Sequence, residues 1–192
     1  MLRNISHSIR LFSSLGKKKV VVTGAGRDRI GIVKDLTEII YEEEGNLMDS
    51  KMSKLGGDFA VMMLVEFPSH RISAFRDKLS QAKESLGLHL SCNEAIIPKT
   101  NTHEAYNVKI ELEGADSPGI VYTVSQYLSG VGANIENMIT SNEPAPMGGT
   151  TLFRMEGTIK ISELVNFQLL KDKVKQLENK LGVDIKLERE KE

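Results

Sequence analysis

Two stretches of this chain, GRDRIGIV at residues 26–33 and GADSPGIV at residues 114–121, share the pattern Asp-x-x-Gly-Ile-Val. Asp28, Gly31, Ile32 and Val33 stand 88 positions before Asp116, Gly119, Ile120 and Val121, and the same offset carries Asn46 onto Asn134 without a gap. A repeat of that length is a duplicated domain, so one fold must satisfy both copies.

The elements around each turn follow one plan. A strand (19–23, then 106–112) leads into a helix whose apolar face is Ile32, Val33, Leu36, Ile39 and Ile40 in the first copy and Ile120, Val121, Val124 and Leu128 in the second. Gly45 and Gly130 follow as candidate left-handed helix ends. Two strands in hairpin order come next, 46–54 with 58–67 and 134–142 with 150–158, turning at Gly56-Gly57 and Gly148-Gly149. The second helices carry matching apolar series, Ile72, Phe75, Leu79, Ala82, Leu86 and Phe167, Leu170, Val174, Leu177, Leu181. A last alternating strand, 88–96 or 183–187, closes each copy. The order is βαββαβ. It predicts an α+β protein of two ferredoxin-like domains, each an antiparallel four-stranded sheet with helices on one face. The predicted domains are 18–97 and 106–192, joined by a polar linker at 98–105.

The run KKVVVTGAGRDRIGIV invites comparison with a dinucleotide-binding turn, which needs G-x-G-x-x-G. Gly24 and Gly26 supply the first pair, but the third glycine, Gly31, falls two residues late, and the second copy has no G-x-G before its turn. No tyrosine is followed four residues on by lysine, as a short-chain dehydrogenase requires. The feature common to the copies is the Asp-x-x-Gly-Ile-Val turn, and no cofactor is expected.

A net charge of −1 gives no electrostatic footprint for a polyanionic partner, and no apolar run approaches the ~20 residues of a membrane span. Neither nucleic acid nor membrane is expected as a direct partner. The lone Cys92 reads as a small buried hydrophobe, and the four histidines lack ligand spacing, so no metal site is expected. No catalytic constellation appears, and the chain reads as a non-enzyme. Met48, Met52, Met62 and Met63 read as core filling; Arg27 and Arg29, absent from the second copy, read as solvated surface.

Residues 1–17 differ in kind. Arg3, Arg10 and Lys17 recur every seven residues beside an apolar series Leu2, Ile5, Ile9 and Phe12, and no acid precedes Asp28. That pattern predicts an organelle transit peptide, with the mitochondrial matrix as destination and a plastid as the alternative.

Two βαββαβ units, each with an Asp-x-x-Gly-Ile-Val turn and an Asn opening the second strand, resemble tandem ACT domains. The pairing, with PAPMGGTTLFRMEG at 144–157, is similar to the glycine cleavage system transcriptional repressor family. The family's turn reads Asp-x-Pro-Gly, which Asp116-Ser117-Pro118-Gly119 keeps, whereas the first copy has Ile30 in place of the proline.

The resemblance implies a regulatory protein that binds a small metabolite, an amino acid, near this turn and modulates a partner protein in amino-acid metabolism, glycine metabolism included. Such a ligand needs N-H donors for its carboxylate, which a helix N-terminus offers, and oxygens for its ammonium. The candidate ligand residues are Asp116, Pro118, Gly119, Ile120 and Asn134, with Asp28, Gly31, Ile32 and Asn46 in the first copy. The aspartates equally suit a loop-capping role, and the asparagines a local backbone role after a helix end. The competing functions are a ligand-free dimerisation or docking scaffold and, further off, a small NAD(P)-binding oxidoreductase. A sheet with one bare face and free edges also predicts association of chains into a homo-oligomer.

Overall fold

The computed structural model describes residues 16–96, 105–144, 149 and 151–190. The candidate transit peptide up to residue 15, the linker at 98–104 and Gly148 of the second hairpin turn lie outside the described residues. The chain divides into two compact units.

Unit 1 runs β1 (Lys17–Arg27), α1 (Ile32–Glu42), β2 (Asn46–Leu55), β3 (Asp58–Pro68), α2 (Ile72–Gln81), α3 (Lys83–Leu86) and β4 (Leu88–Glu94). Unit 2 runs β5 (Ala105–Ala115), α4 (Ile120–Gly130), β6 (Asn134–Pro144), β7 (Thr151–Ser162), α5 (Phe167–Leu181) and β8 (Val183–Arg189). Both sheets are antiparallel with equivalent orders, β2-β3-β1-β4 and β6-β7-β5-β8. These are the two four-stranded α+β units that the repeat predicts.

Strand alternation decides which side chains meet the helices. In β1 the buried side is Val20 and Val22, and in β3 it is Phe59, Val61, Met63, Val65 and Phe67. Ile32, Leu36 and Ile40 of α1 close over them with Phe75 and Leu79 of α2. Unit 2 repeats the scheme with Val108, Ile110 and Leu112 under Ile120, Val124, Leu128, Leu170 and Val174. The second helix of unit 1 breaks between Gln81 and Lys83, yet Leu86 keeps its place in the core.

Gly24 and Gly26 lie inside β1, and no phosphate-sized loop exists there. A Cβ on Gly24 would stand 2.6 Å from the Leu90 side chain, and one on Gly26 would stand 2.1 Å from the Gly87 carbonyl oxygen. The first two glycines of the near-motif therefore serve close approach of β4 to β1. Gly45 is likewise a packing glycine, against the Phe67 ring. The left-handed residues after α1 and α4 are Glu44 (φ 60) and Gly132 (φ 75), not the glycines at 45 and 130. Gly56 and Gly57 are both left-handed, as a two-residue hairpin between right-twisted strands requires.

The methionine expectation holds for one residue of four. Met63 is wholly buried, whereas Met48, Met52 and Met62 are 47%, 37% and 48% exposed. The reason is topological: β2 is an edge strand beyond the helices, and Met62 points to the sheet face that no helix covers.

The outer edge of β8 is guarded. Glu178 of α5 is buried, accepts the Ile185 N-H at 2.7 Å and pairs with Lys175 at 2.8 Å. Burial works to raise its carboxyl pKa, but the bonds from Lys175 and Ile185 outweigh it and hold the group below its usual 4.5. A depressed carboxylate contributes stability that is present above its unfolded value and lost as pH falls through its folded value. Glu178→Gln is accordingly expected to destabilise unit 2 at neutral pH, with the difference from wild type narrowing below about pH 4.5 in chemical denaturation.

Candidate functional site

Each first turn joins the top of the first strand to a helix whose leading residue is a left-handed glycine, Gly31 with φ 91 and Gly119 with φ 94. A side chain is disfavoured in that conformation by about 1–2 kcal/mol, so the glycine is needed for the backbone path. The first intrahelical bonds run from Asp35 N-H to Gly31 O and from Thr123 N-H to Gly119 O, both 2.9 Å. The N-H groups of Ile32, Val33 and Lys34, and of Ile120, Val121 and Tyr122, thus precede the helical ladder, and among the described residues no side chain caps either helix. They form the donor set that a carboxylate needs.

The two turns differ in what stands beside those donors. In unit 1, Arg29 donates to Asp35 at 2.8 Å, to the Ser85 carbonyl at 3.1 Å and to the Ile30 carbonyl at 3.2 Å. Its guanidinium lies 3.7 Å from where a Cβ on Gly31 would be, and it holds the Asp35 carboxyl below the usual carboxylate range. Arg29 is thus a fixed part of this turn rather than free solvated surface. Its counterpart in unit 2 is Ser117, and among the described residues nothing lies within 4 Å of a Cβ built on Gly119. The Asp116–Ile120 turn is the open one.

The aspartates do not cap the helices. Asp28 pairs with Lys54 at 2.6 Å, and Asp116 accepts from the Asn142 amide at 3.0 Å. Lys54 and Asn142 are themselves 88 residues apart, so the repeat contains this contact with its polarity changed. Backbone bonds from Asp28 N-H to Gly57 O and from Asp116 N-H to Thr151 O fasten each turn to the neighbouring hairpin. Sequence reasoning missed Lys54 and Asn142; the shared offset was the signal that could have found them. Ile32 and Ile120 send their side chains into the cores, leaving only their backbone to a ligand, while Ile30 is fully exposed and Pro118 is exposed.

Asn46 and Asn134 are not brought to the turns of their own units. Asn46 pairs with Glu66 at the end of the sheet opposite the Arg27–Asp58 pair, and Asn134 pairs with Lys160. The helix that follows each turn carries the chain back down the sheet, so β2 and β6 begin a whole strand length away, about 30 Å. Neither asparagine is left-handed, which removes the local backbone role. Each instead reaches its own strand's bulge residue, Asn46 to Met48 Sδ at 3.3 Å and Asn134 to Glu136 at 2.6 Å. Among the described residues no group of three or more His, Cys, Asp or Glu is gathered as a metal centre would need.

Comparison with known proteins agrees with this geometry. Residues 18–93 and 102–183 each match a model of the ACT domain. A UPF0237 protein of Lactococcus lactis, YjhC, is 39% identical over 79 residues, 41% of this chain and 91% of that protein. The glycine cleavage system transcriptional repressor of Escherichia coli is 25% identical over 126 residues, 66% of each chain. The crystal structure of an unknown protein from Galdieria sulphuraria superposes with a TM-score of 0.78 at 32% identity, covering 92% of this chain and all of that one. A crystal structure provisionally described as a glycine cleavage system transcriptional repressor shares the fold, with a TM-score of 0.64 at 20% identity over 92% of this chain and 99% of that one. The chain belongs to the ACT-domain family, as a tandem ACT-domain protein similar to the glycine cleavage system transcriptional repressors.

Proposed function

We propose that this protein is a non-catalytic regulator that binds a small amino acid or related metabolite at its first turns, principally Asp116–Ile120, and thereby modulates a partner protein in amino-acid metabolism. The observation that carries the reading is the helix N-terminus behind Gly119, with three N-H donors and, among the described residues, no side-chain cap and nothing within 4 Å of a Cβ on that glycine. The named repressor relative favours glycine metabolism as the setting. Action is by protein contact in this reading, which a net charge of −1 favours over direct binding of nucleic acid. Titration calorimetry against a panel of free amino acids tests the ligand: one of them binds, with the glycine-119 turn intact, or the turn is not a ligand site. Co-purification from the native organelle with mass spectrometry names the partner.

The distance between Asn134 and its own turn favours a second reading, a scaffold that dimerises or docks without ligand. The two readings separate in the same titration. If ligand and Asn134 do meet, the asparagine comes from a second chain; we include self-association in the proposal.

Import into the mitochondrial matrix, or into a plastid, through residues 1–17 completes the reading, supported by their basic, acid-free, amphipathic pattern. Because β1 already includes Lys17, paired with Pro68 and bonded to Glu66 at 2.9 Å, cleavage upstream of that residue spares the sheet. Deleting residues 1–15 is expected to leave the thermal midpoint unchanged within about 2 °C, the shift of a change under roughly 0.5 kcal/mol. A larger fall would make the segment part of the folded body.

A further inference from the structure

The two units fill one place in the fold differently. β1 aligns on β5 at an offset of 88, and α2 with β4 aligns on α5 with β8 at 95, since Val20 faces Glu94 as Val108 faces Arg189. In unit 2 the space between α5 and the end of the β5–β8 pair holds two rings. Tyr106, buried, and Phe167, half-buried, meet edge to face at 6.2 Å, and the Tyr106 hydroxyl donates to the Val165 carbonyl at 3.4 Å. Arg189 lies 4.0 Å from the centroid of the first ring and Lys171 4.8 Å from that of the second.

In unit 1 the same places are taken by Lys18, Ile72, Glu94 and Arg76. No ring stands among them, and a groove of about 350 Å³ opens there between α2 and the β1–β4 pair. Val20 and Ile72 give it an apolar lining, and Ser69 and Ser73 bring hydroxyls to it. Its charges balance: Lys18 pairs with Glu94 at 3.1 Å, and Asp77 follows Arg76. Arg76 keeps the cation that faces a ring in unit 2, and the ring is what unit 1 lacks.

We propose that this groove is the docking site for a tyrosine side chain of a partner protein. The sister unit supplies the template: a ring laid against the strand pair, a cation over it and a phenol that hydrogen-bonds beside it. Ser73 offers the phenol a hydroxyl in unit 1. Lys18, Ser73, Arg76, Asp77 and Glu94 are all exposed, so the groove is open along its rim. A free small ligand needs a site that buries most of its surface, whereas an aromatic anchor brings its own chain to cover the rest. The choice of a protein as occupant rests on the regulatory reading, which requires a partner. The groove lies a strand length, about 30 Å, from the Gly31 turn, so a partner here leaves that turn free for its ligand.

The test uses the whole chain and the peptide acetyl-Gly-Tyr-Gly-amide, which has neither the carboxylate nor the ammonium that the turn would bind. In proton–nitrogen correlation NMR it should shift the Ile72, Ser73 and Arg76 signals saturably, with a Kd on the order of 1–10 mM for one isolated anchor. The matched acetyl-Gly-Ala-Gly-amide should leave them in place. Ile72→Phe puts the sister unit's ring into the groove and should lower the affinity at least about 10-fold, with its fold checked by circular dichroism. Arg76→Ala, at an exposed position, should lower it about two- to fivefold by taking the cation from the ring. Absence of a saturable shift overturns the proposal, as does binding of the alanine peptide or an unchanged affinity in either folded variant. Free tyrosine binding more than about 10-fold tighter than the peptide also overturns it, by making the groove a metabolite site. So does a change of sedimentation coefficient in the free protein on Ile72→Phe, which assigns the groove to a second copy. None of these outcomes touches the calorimetric test of the turn.

Discussion

Gly119→Val is expected to lower amino-acid affinity at least about 30-fold, the loss of one charge-assisted hydrogen bond of roughly 2 kcal/mol. The cause is conformational rather than steric crowding. Among the described residues nothing lies near a Cβ at this position, but φ of 94 is a conformation that a β-branched residue avoids. The substituted backbone relaxes away from it and takes the Ile120 and Val121 N-H groups out of alignment. Folding itself should survive, since a strain of about 1–3 kcal/mol is smaller than a domain's usual stability. Gly31→Val should cost less binding, because Arg29 already stands beside those donors in unit 1. Calorimetry on both folded variants decides the matter; loss of binding in Gly31→Val with normal binding in Gly119→Val would move the principal site to the first unit. Asn134→Ala adds a geometric check. Because Asn134 lies a strand length from its own turn, the substitution weakens binding only where a second chain supplies the asparagine, so its effect should vanish in any variant that abolishes association.

Phe75→Ala is expected to cost unit 1 about 3–5 kcal/mol while leaving unit 2 untouched. Phe75 is wholly buried and packs on Phe67, ring centroids 4.4 Å apart and planes tilted by 35°. Truncation leaves a cavity between α2 and β3. The core of unit 1 and the core of unit 2 share no residue, so urea unfolding of the variant should resolve into two transitions, only the earlier of them displaced from wild type. A single transition moving as a whole would show that the two units unfold together.

The repeat settled the architecture because two copies impose the same test. Apolar series at helical spacing in 72–86 and 167–181 had to mark helices in both, and Phe75, Leu79, Leu170 and Val174 are indeed buried on those faces. The recurring pattern Asp-x-x-Gly-Ile-Val marked the glycines at 31 and 119 as the shared feature of the turns, and the structure gives the reason, a left-handed φ at each. Periodicity also separated the two faces of each strand.

What periodicity does not carry is whether a face or an edge is covered, and that depends on pairs distant in sequence. Gly24 and Gly26 resembled a phosphate turn until Leu90 and the Gly87 carbonyl, more than sixty residues away, showed why no side chain fits there. Met62 and Met63 are adjacent and chemically identical, yet one is half exposed and the other buried, because helices lie on one side of the sheet only. Glu43 reads as one acid in a run of three, but it is buried against α2, where Lys78 donates to it at 2.6 Å. Asn46 and Asn134 follow their turns closely in sequence, but β2 and β6 pair with β3 and β7 rather than with the first strand, and the intervening helix returns the chain to the far end before they begin. The sequence by itself determined the order of elements, the position of the glycine turns and the inward side of each element, since these follow from local spacing and backbone sterics. The tertiary structure alone decided which polar groups meet, Asp116 with Asn142 and Asp28 with Lys54, and which sheet face is left bare, since these depend on strand register and on where the crossover helices run.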